Sequence, residues 1–553
     1  MRIKKIILAG LLGVNLSLVT ISGLNKNVVY AQSTEVVYKA FTEKTDFNGG
    51  YFNFQWGLDN DGSFKYSEQV RGKLVKQPLT QVEAVNDVDI DFPEVRAKFS
   101  GGRQETIVAV IDTGVDYNHE DLQNVLWVNK GEIPDNGIDD DGNGYIDDVN
   151  GWNFYDDNNI LYNGKEDSHG THIAGTIIAN INSKGISGVA GNSNVKIMIL
   201  KALGGADESG FTYGIVNAIE YAERMGATIC NFSFGTETTD KYMEEAIRDS
   251  KMLFVVASGN GDTNNALGYN IDTKPVYPAS YGYDNIISVA NLQADGKLHI
   301  SSNYSPNSVD IAAPGSKILS TIDSETFNAN YVSGRMPTPY AYMVGTSMAA
   351  PFVAGTAALV YSDFPGITIR QVKESILEGV KRFPELTDKV STGGMLSADG
   401  AYSYVYNNYQ NFLITNKKLE EAKKAEETKK AENVRKAEEA KKLEEAKKAE
   451  EQKNNQKKAD KKKISKNSVP SIKIYYTKNG KILVRVNDKD DDISLVRYAL
   501  GRKNDSYFSD GKKGYKINLN SKSEKILTLK KGRYTFYVMD KKGNKIIKRV
   551  VIK

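Results

Sequence analysis

The sequence predicts an α/β fold, a parallel β-sheet flanked by helices, followed by a charged single helix and a small β-sandwich. Three observations carry this expectation. Apolar runs of strand length alternate with helical patterns from Thr106 onward, the rhythm of βαβ units. From Lys417 to Gln452 glutamates and lysines alternate in pairs. From Ile472 to Lys553 short alternating segments are separated by turns such as Lys478-Asn479-Gly480 and Lys542-Gly543-Asn544.

Taken in order, the 553 residues, 40% apolar and 25% charged, suffice for one large core and one or two accessory domains. Arg2, Lys4 and Lys5 precede an apolar run from Ile6 to about Leu24, and Val29-Tyr30-Ala31 offers cleavage-type positions. Residues 1–31 therefore read as a secretory signal peptide, with a retained membrane anchor as the alternative. No other run is long enough to span a bilayer, so the mature chain is expected to be secreted, extracellular or wall-associated. Residues 32–50 form a short extension and residues 51–408 the main domain. Cys230, the sole cysteine, excludes an intramolecular disulfide and is expected to be buried in an apolar strand.

In the main domain Thr106–Ile111 reads as a buried strand that ends in Asp112-Thr113-Gly114, which sets a carboxylate at the edge where α/β sheets place their sites. Strands are also expected over Val195–Lys201, Thr228–Phe234 and Met252–Ala257, with helices near Phe211–Met225 and Asp240–Ser250. Gly345-Thr346-Ser347-Met348-Ala349-Ala350-Pro351 surrounds one serine with small residues just before an apolar helical pattern. A serine hydroxyl is a poor nucleophile unless a histidine takes its proton and a carboxylate orients that histidine. Of the four histidines, His119, His169, His172 and His299, two lie in His169-Gly170-Thr171-His172, a small-residue turn that enters a helix. His169 is the candidate base, and His119 and His299 are expected at the surface.

These three motifs, in the order Asp112, His169, Ser347, closely resemble the subtilisin-like serine proteases, or subtilases, over roughly Tyr51 to Tyr406. The resemblance implies a subtilisin-like fold and hydrolysis of peptide bonds in protein or peptide substrates. It assigns the nucleophile to Ser347, the base to His169, the orienting carboxylate to Asp112 and an oxyanion-holding side chain to Asn260. It makes Ser233-Phe234-Gly235 and Ala257-Ser258-Gly259 walls of the substrate cleft, and gives His172 no proton transfer. It also makes Lys201–Gly210 an edge strand for the substrate, so Asp207 or Glu208 could favour Lys or Arg before the cut; turn residues facing water are the alternative. Gln55-Trp56-Gly57-Leu58 resembles the start of mature subtilases, which leaves about twenty residues where the family carries a folded propeptide. Two other readings stay open: a surface-binding protein on an inactive protease fold, and a processing enzyme with one substrate.

Between Gly131 and Ser168 eleven Asp or Glu stand against one lysine, a density that implies a cation. Its centre, Asp139-Asp140-Asp141-Gly142-Asn143-Gly144-Tyr145, sets oxygens at alternate positions around a glycine turn, as in calcium loops. Asp139, Asp141 and Asn143 would bind Ca2+ through side chains and Tyr145 through its carbonyl, with Asp147 or Asp148 completing the shell. A solvated acidic loop is the alternative. The resemblance alone implies a second calcium site at Asp121 and Asn182, with the carbonyls of Lys184 and Ile186.

Residues 409–468 read as a stalk and linker. Glu420 faces Lys424 and Glu426 faces Lys430 at helix-stabilising spacing. The apolar positions recur every third residue and circle the helix, so a single helix roughly 54 Å long is expected over 36 residues, with coiled-coil pairing as the alternative. Residues 469–553 read as a basic β-sandwich that weakly resembles immunoglobulin-like modules. From Ile472 onward 22 Lys or Arg stand against 8 Asp or Glu, so an anionic partner is expected, cell-wall polymer more than nucleic acid; a basic spacer is the alternative.

Overall fold

The computed structural model describes residues 28–31, 34–37, 50–205, 208–325, 339–456, 469–477, 481–489, 491–508 and 512–552. The apolar run Ile6–Leu24, Asp207 and the turn Lys478-Asn479-Gly480 lie outside the described residues. The chain divides into two compact units, residues 1–420 and 421–553.

A nine-stranded sheet organises the first unit. Its spatial order is Lys381–Arg382, Gly394–Met395, Ile311–Pro314, Ile286–Leu292, Leu253–Ala257, Ile229–Phe232, Thr106–Asp112, Val195–Lys201 and Gly151–Asn153. Every neighbouring pair is parallel except the first. Thr106–Asp112, Leu253–Ala257 and Ile286–Leu292 are buried at every position, which explains why the first two read as apolar runs without alternation. From Thr106–Asp112 the chain runs out to the edge strand Gly151–Asn153, returns through Val195–Lys201 and then crosses to Ile229–Phe232 on the other side. That reversal opens a crevice at the carboxyl ends of the strands, the place where such sheets bind ligands. The helices expected near Phe211–Met225 and Asp240–Ser250 form over Thr212–Arg224 and Lys241–Asp249.

The helix Thr346–Asp363 is apolar on all sides and buried at every residue but Tyr361, and it packs against the helix Ser168–Ile178. Two small sheets border the crevice. In one, Val28–Ala31 lies between Phe234–Gly235 and Ser209–Phe211, with Leu203–Gly204 outermost. In the other, Tyr340–Val344 lies between Ile318–Thr321 and Thr34–Val37. The last four residues of the segment read as a leader are thus a strand of the first unit.

The charged segment belongs to a helix that begins much earlier, Ala398–Gln456. Its first turns bury Ala401, Tyr402 and Val405, and the Tyr402 ring lies 4.8 Å from that of Phe364. Further along, Glu426–Lys430 and Glu432–Lys436 pair at 2.7 Å across one turn, while Leu419 and Val434 are exposed. In the second unit two antiparallel sheets share one core. Ile472, Val484 and Val486 of Ser471–Tyr476 and Ile482–Asn487 meet Val496, Phe536 and Val538 of Ile493–Leu500 and Gly532–Asp540. Burial alternates along Ile482–Asn487, the signature of a strand with one covered face.

Candidate active site

Asp112 ends its strand at the crevice, and His169 is the second residue of the helix Ser168–Ile178. Gly170 lets them meet: a Cβ there would stand 2.1 Å from the Gly114 carbonyl and 3.3 Å from Asp112 Cβ, so a larger residue would push helix and strand apart. His169 Nδ1–H donates to Asp112 Oδ1 at 2.7 Å, and that oxygen also accepts the Thr113 N–H at 2.8 Å. Both side chains are buried. The bond fixes the proton on Nδ1 and leaves His169 Nε2 as a base, and Nε2 is buried with no hydrogen-bond partner among the described residues. Burial alone would lower the imidazole pKa; the charge and hydrogen bond of Asp112, joined by the charge of Glu208, outweigh it and raise the pKa above its ordinary value.

Ser347 stands in the first turn of the helix Thr346–Asp363, where backbone N–H groups have no partner within the helix. Its hydroxyl donates to the Ser233 carbonyl at 2.9 Å. Pro351 explains the reciprocal contact: four residues on from Ser347, it has no N–H to give the Ser347 carbonyl, and the Ser233 hydroxyl donates there instead at 2.9 Å. Ser233 is thereby locked to the backbone of Ser347. Asn260 Oδ1 accepts the Thr346 N–H at 2.8 Å and the Thr346 hydroxyl at 3.1 Å, which orients the amide with Nδ2 as its donor end. Gly259 is held in turn, its N–H donating to the Thr346 hydroxyl at 3.1 Å. Ala257 ends its strand beside Ser258, which is buried, so both expected walls converge on the helix start.

The profile described as "Subtilase family" matches residues 103–404, more than half of the 553 residues. The chain belongs to the subtilase family. Among curated relatives, this subtilase is 31% identical over 389 residues to "Subtilisin-like protease 1" of Plasmodium vivax, covering 67% of this chain and 54% of that one. It is 33% identical over 305 residues to the "Major intracellular serine protease" of Bacillus subtilis, covering 53% of this chain and 82% of that one. The chain spans about half the length of the Plasmodium relative it matches.

Some site features of this subtilase were not legible beforehand. Lys201, fully buried, meets Asp167 in a close ion pair and Glu166 at 3.0 Å. Asp167 lies two residues before His169, and burial pushes its carboxyl up to about 7 although Lys201 pulls it down. The signal was a lysine ending the apolar strand Val195–Lys201 beside Asp112, its partner in the sheet register. His119 and His299, expected at the surface, are buried: His119 is clamped between the Asp121 N–H and the Pro339 carbonyl, and His299 between Ser301 and Glu68. Short polar flanks hid these tertiary partners. His172 is also buried; its Nε2–H donates to the Ile318 carbonyl at 3.0 Å and its pKa is pushed down to about 3 by burial.

In the acidic loop, carboxylate oxygens of Glu132, Asp139 and Asp141 lie within 4.8 Å of one another. Glu132, missed by a pattern that began at Asp139, also accepts the Asp141 and Asp147 N–H groups. Asn143 donates to Asp141 and Asp148 at 2.9 Å each, and its Oδ1 accepts the Tyr145 N–H. Asp148 is buried and accepts from Asn129, Asn143 and Tyr221, so it braces the loop from the core side. At the second expected site, Asp121 accepts the Ile186 N–H and the Tyr340 hydroxyl, and burial pushes its pKa up to about 6. Asn182 accepts the Lys184 N–H within its own loop.

Proposed function

We propose that the chain is a secreted serine endopeptidase. The observation that carries this reading is the buried His169–Asp112 pair at 2.7 Å, with His169 on a helix that packs against the helix Thr346–Asp363, whose first turn holds Ser347. The Ser347 hydroxyl turns from the Ser233 carbonyl to His169 Nε2, which takes its proton as Oγ attacks the peptide carbonyl. Asn260 Nδ2 and the Ser347 N–H donate to the tetrahedral oxyanion. His169 returns the proton to the leaving amine, and water then frees the acyl group by the same route. Asp112 keeps the imidazole in one tautomer and balances its charge while protonated.

Hard divalent cations take carboxylate oxygens, and Glu132, Asp139 and Asp141 fit that donor set, so they would hold Ca2+. The ion supplies positive charge that offsets the crowding of carboxylates between Asp112 and His169. Outside the catalytic unit, the excess of 22 basic over 8 acidic residues from Ile472 onward suits an anionic wall polymer. The test of the activity is a serine-directed fluorophosphonate: it labels Ser347 in the wild type, while Ser347→Ala loses labelling and proteolysis with its fold intact. Proteolysis that survives Ser347→Ala refutes the assignment.

A further inference from the structure

We propose that a hairpin tip, residues 70–79, is a docking surface for the substrate itself and selects polypeptides that carry an acidic, apolar segment a few residues from the bond to be cut. The proposal rests on the endopeptidase reading and adds a substrate class to it. Lys65–Glu68 and Thr80–Glu83 pair antiparallel, with Glu68 opposite Thr80, and a bridge between Arg71 and Lys76 continues the hairpin toward its tip. Its base is fixed in the domain: Val82 is buried, Glu68 accepts from Gln293 Nε2 at 3.1 Å, and the Val85 N–H donates to the Ala294 carbonyl at 2.9 Å. The tip is fixed too. The Lys73 N–H donates to the Thr263 carbonyl at 2.9 Å, and the Leu74 and Val75 N–H groups donate to the Asn264 carbonyl at 2.8 and 3.0 Å. Gly72 permits that approach, since a Cβ there would stand 2.2 Å from the same Asn264 carbonyl oxygen.

The tip's backbone is engaged in these bonds, while its side chains face water. Leu74 is 80% exposed, Leu79 64% and Val75 47%. Arg71, Lys73 and Lys76 are exposed, and none forms an ion pair among the described residues. No acidic residue lies between Glu68 and Glu83, so three unpaired cations are interleaved with exposed apolar side chains. A single exposed leucine is ordinary, whereas a run of them among cations on a rigid support has the makeup of an interaction site. An acidic, apolar stretch of polypeptide complements both its charge and its apolar surface. Location favours the substrate as that partner. Thr263 and Asn264 follow Asn260 by three and four residues, so Asn264 lies at most about 14 Å from Asn260. An extended peptide covers that distance in about four to five residues at roughly 3.3 Å each. One polypeptide can therefore engage the tip and Ser347 together, and the second contact is intramolecular once the first has formed.

The test compares the full chain with two variants at exposed positions, Arg71→Gln with Lys73→Gln and Lys76→Gln, and Leu74→Ser with Leu79→Ser. A short fluorogenic peptide chosen from a library is the reporter. Longer peptides repeat its sequence and carry, at one end or the other, an aspartate–leucine, lysine–serine or glycine–serine extension about five residues from the cut. With the aspartate–leucine extension at one of the two ends, KM is expected to fall about tenfold below that of the glycine–serine peptide at unchanged kcat, the combined effect of three screened pairs and the apolar contacts. The lysine–serine peptide should show no gain, and added salt should shrink the gain of the aspartate–leucine one. Each variant should lose most of the gain yet cleave the short reporter, which does not reach the tip, at the wild-type rate. Equal KM values for all extensions at both ends overturn the proposal and leave the protease reading in place, as does a gain that survives both variants. Substitutions that abolish binding to phosphatidylglycerol vesicles, or self-association, while KM stays unchanged overturn it in favour of a lipid surface or a second copy. A wild-type chain that neither cleaves the reporter nor takes up fluorophosphonate sinks the endopeptidase reading and this proposal with it.

Discussion

Lys201→Met removes one half of a fully buried ion pair while keeping most of the side chain's volume, and its effect should depend on pH. Asp167 has no exposed side-chain surface, and with Lys201 present its pKa is already about 7. Without Lys201, burial acts with less opposition and the folded-state pKa climbs further. A carboxyl whose folded pKa is raised contributes stability that is lost as pH rises from its unfolded value of 3.8 to its folded value. The wild type therefore loses this contribution up to about pH 7 and levels off. The variant keeps losing it above that pH, at about 1.4 kcal/mol per unit. Near pH 6 both proteins carry a protonated Asp167, and the difference should be about 1 kcal/mol or less, the size of a single lost hydrogen bond. At pH 9 it should reach roughly 3 kcal/mol, the low end for breaking a buried pair. Urea unfolding midpoints, measured at both pH values in a Ser347→Ala background to stop self-digestion, check this. A loss of equal size at pH 6 and pH 9 would refute the reasoning, because it would show that charge burial at Asp167 is not what Lys201 relieves.

Three further outcomes are expected. Asn260→Ala should lower kcat by about 100 to 1,000-fold with KM little changed, since the donor acts on charge that develops only in the transition state; steady-state kinetics that show only a raised KM would remove Asn260 from the oxyanion site. Chelation should lower Tm, and Asp139→Asn with Asp141→Asn should abolish that sensitivity; calorimetry that finds the double variant as chelator-sensitive as the wild type argues for another site. Glu208→Gln takes away a charge that helps raise the His169 pKa, so the acidic limb of kcat/KM should move to lower pH. In peptide-library profiling the same change should weaken a preference for Lys or Arg two to four residues before the cut by about 0.5 to 1 kcal/mol. A limb and profile that both stay in place would leave Glu208 without influence on the site.

Much of the candidate site was legible in the chain because its signals are local. Asp112 ends an apolar strand, and His169 and Ser347 each open a helix among small residues, which turn chemistry and periodicity record within ten residues. The charged helix was legible for the same reason, since its Glu–Lys pairs lie one turn apart. The tertiary structure decided whatever depends on contacts remote in sequence. Lys201 could be seen as an oddity in an apolar strand, but its partner Asp167 follows only from the pairing of Val195–Lys201 beside Thr106–Asp112. Glu132 joins Asp139 and Asp141 only once the acidic loop folds back on itself. His119 and His299 are buried because Pro339 and Glu68 reach them from distant segments. Val28–Ala31 reads as the end of a leader by composition, yet its backbone pairs with Phe234–Gly235 and Ser209–Phe211. Composition and spacing record what a segment can become, whereas the partner of a buried charge or a strand edge is chosen by a register that brings together residues tens to hundreds of positions apart.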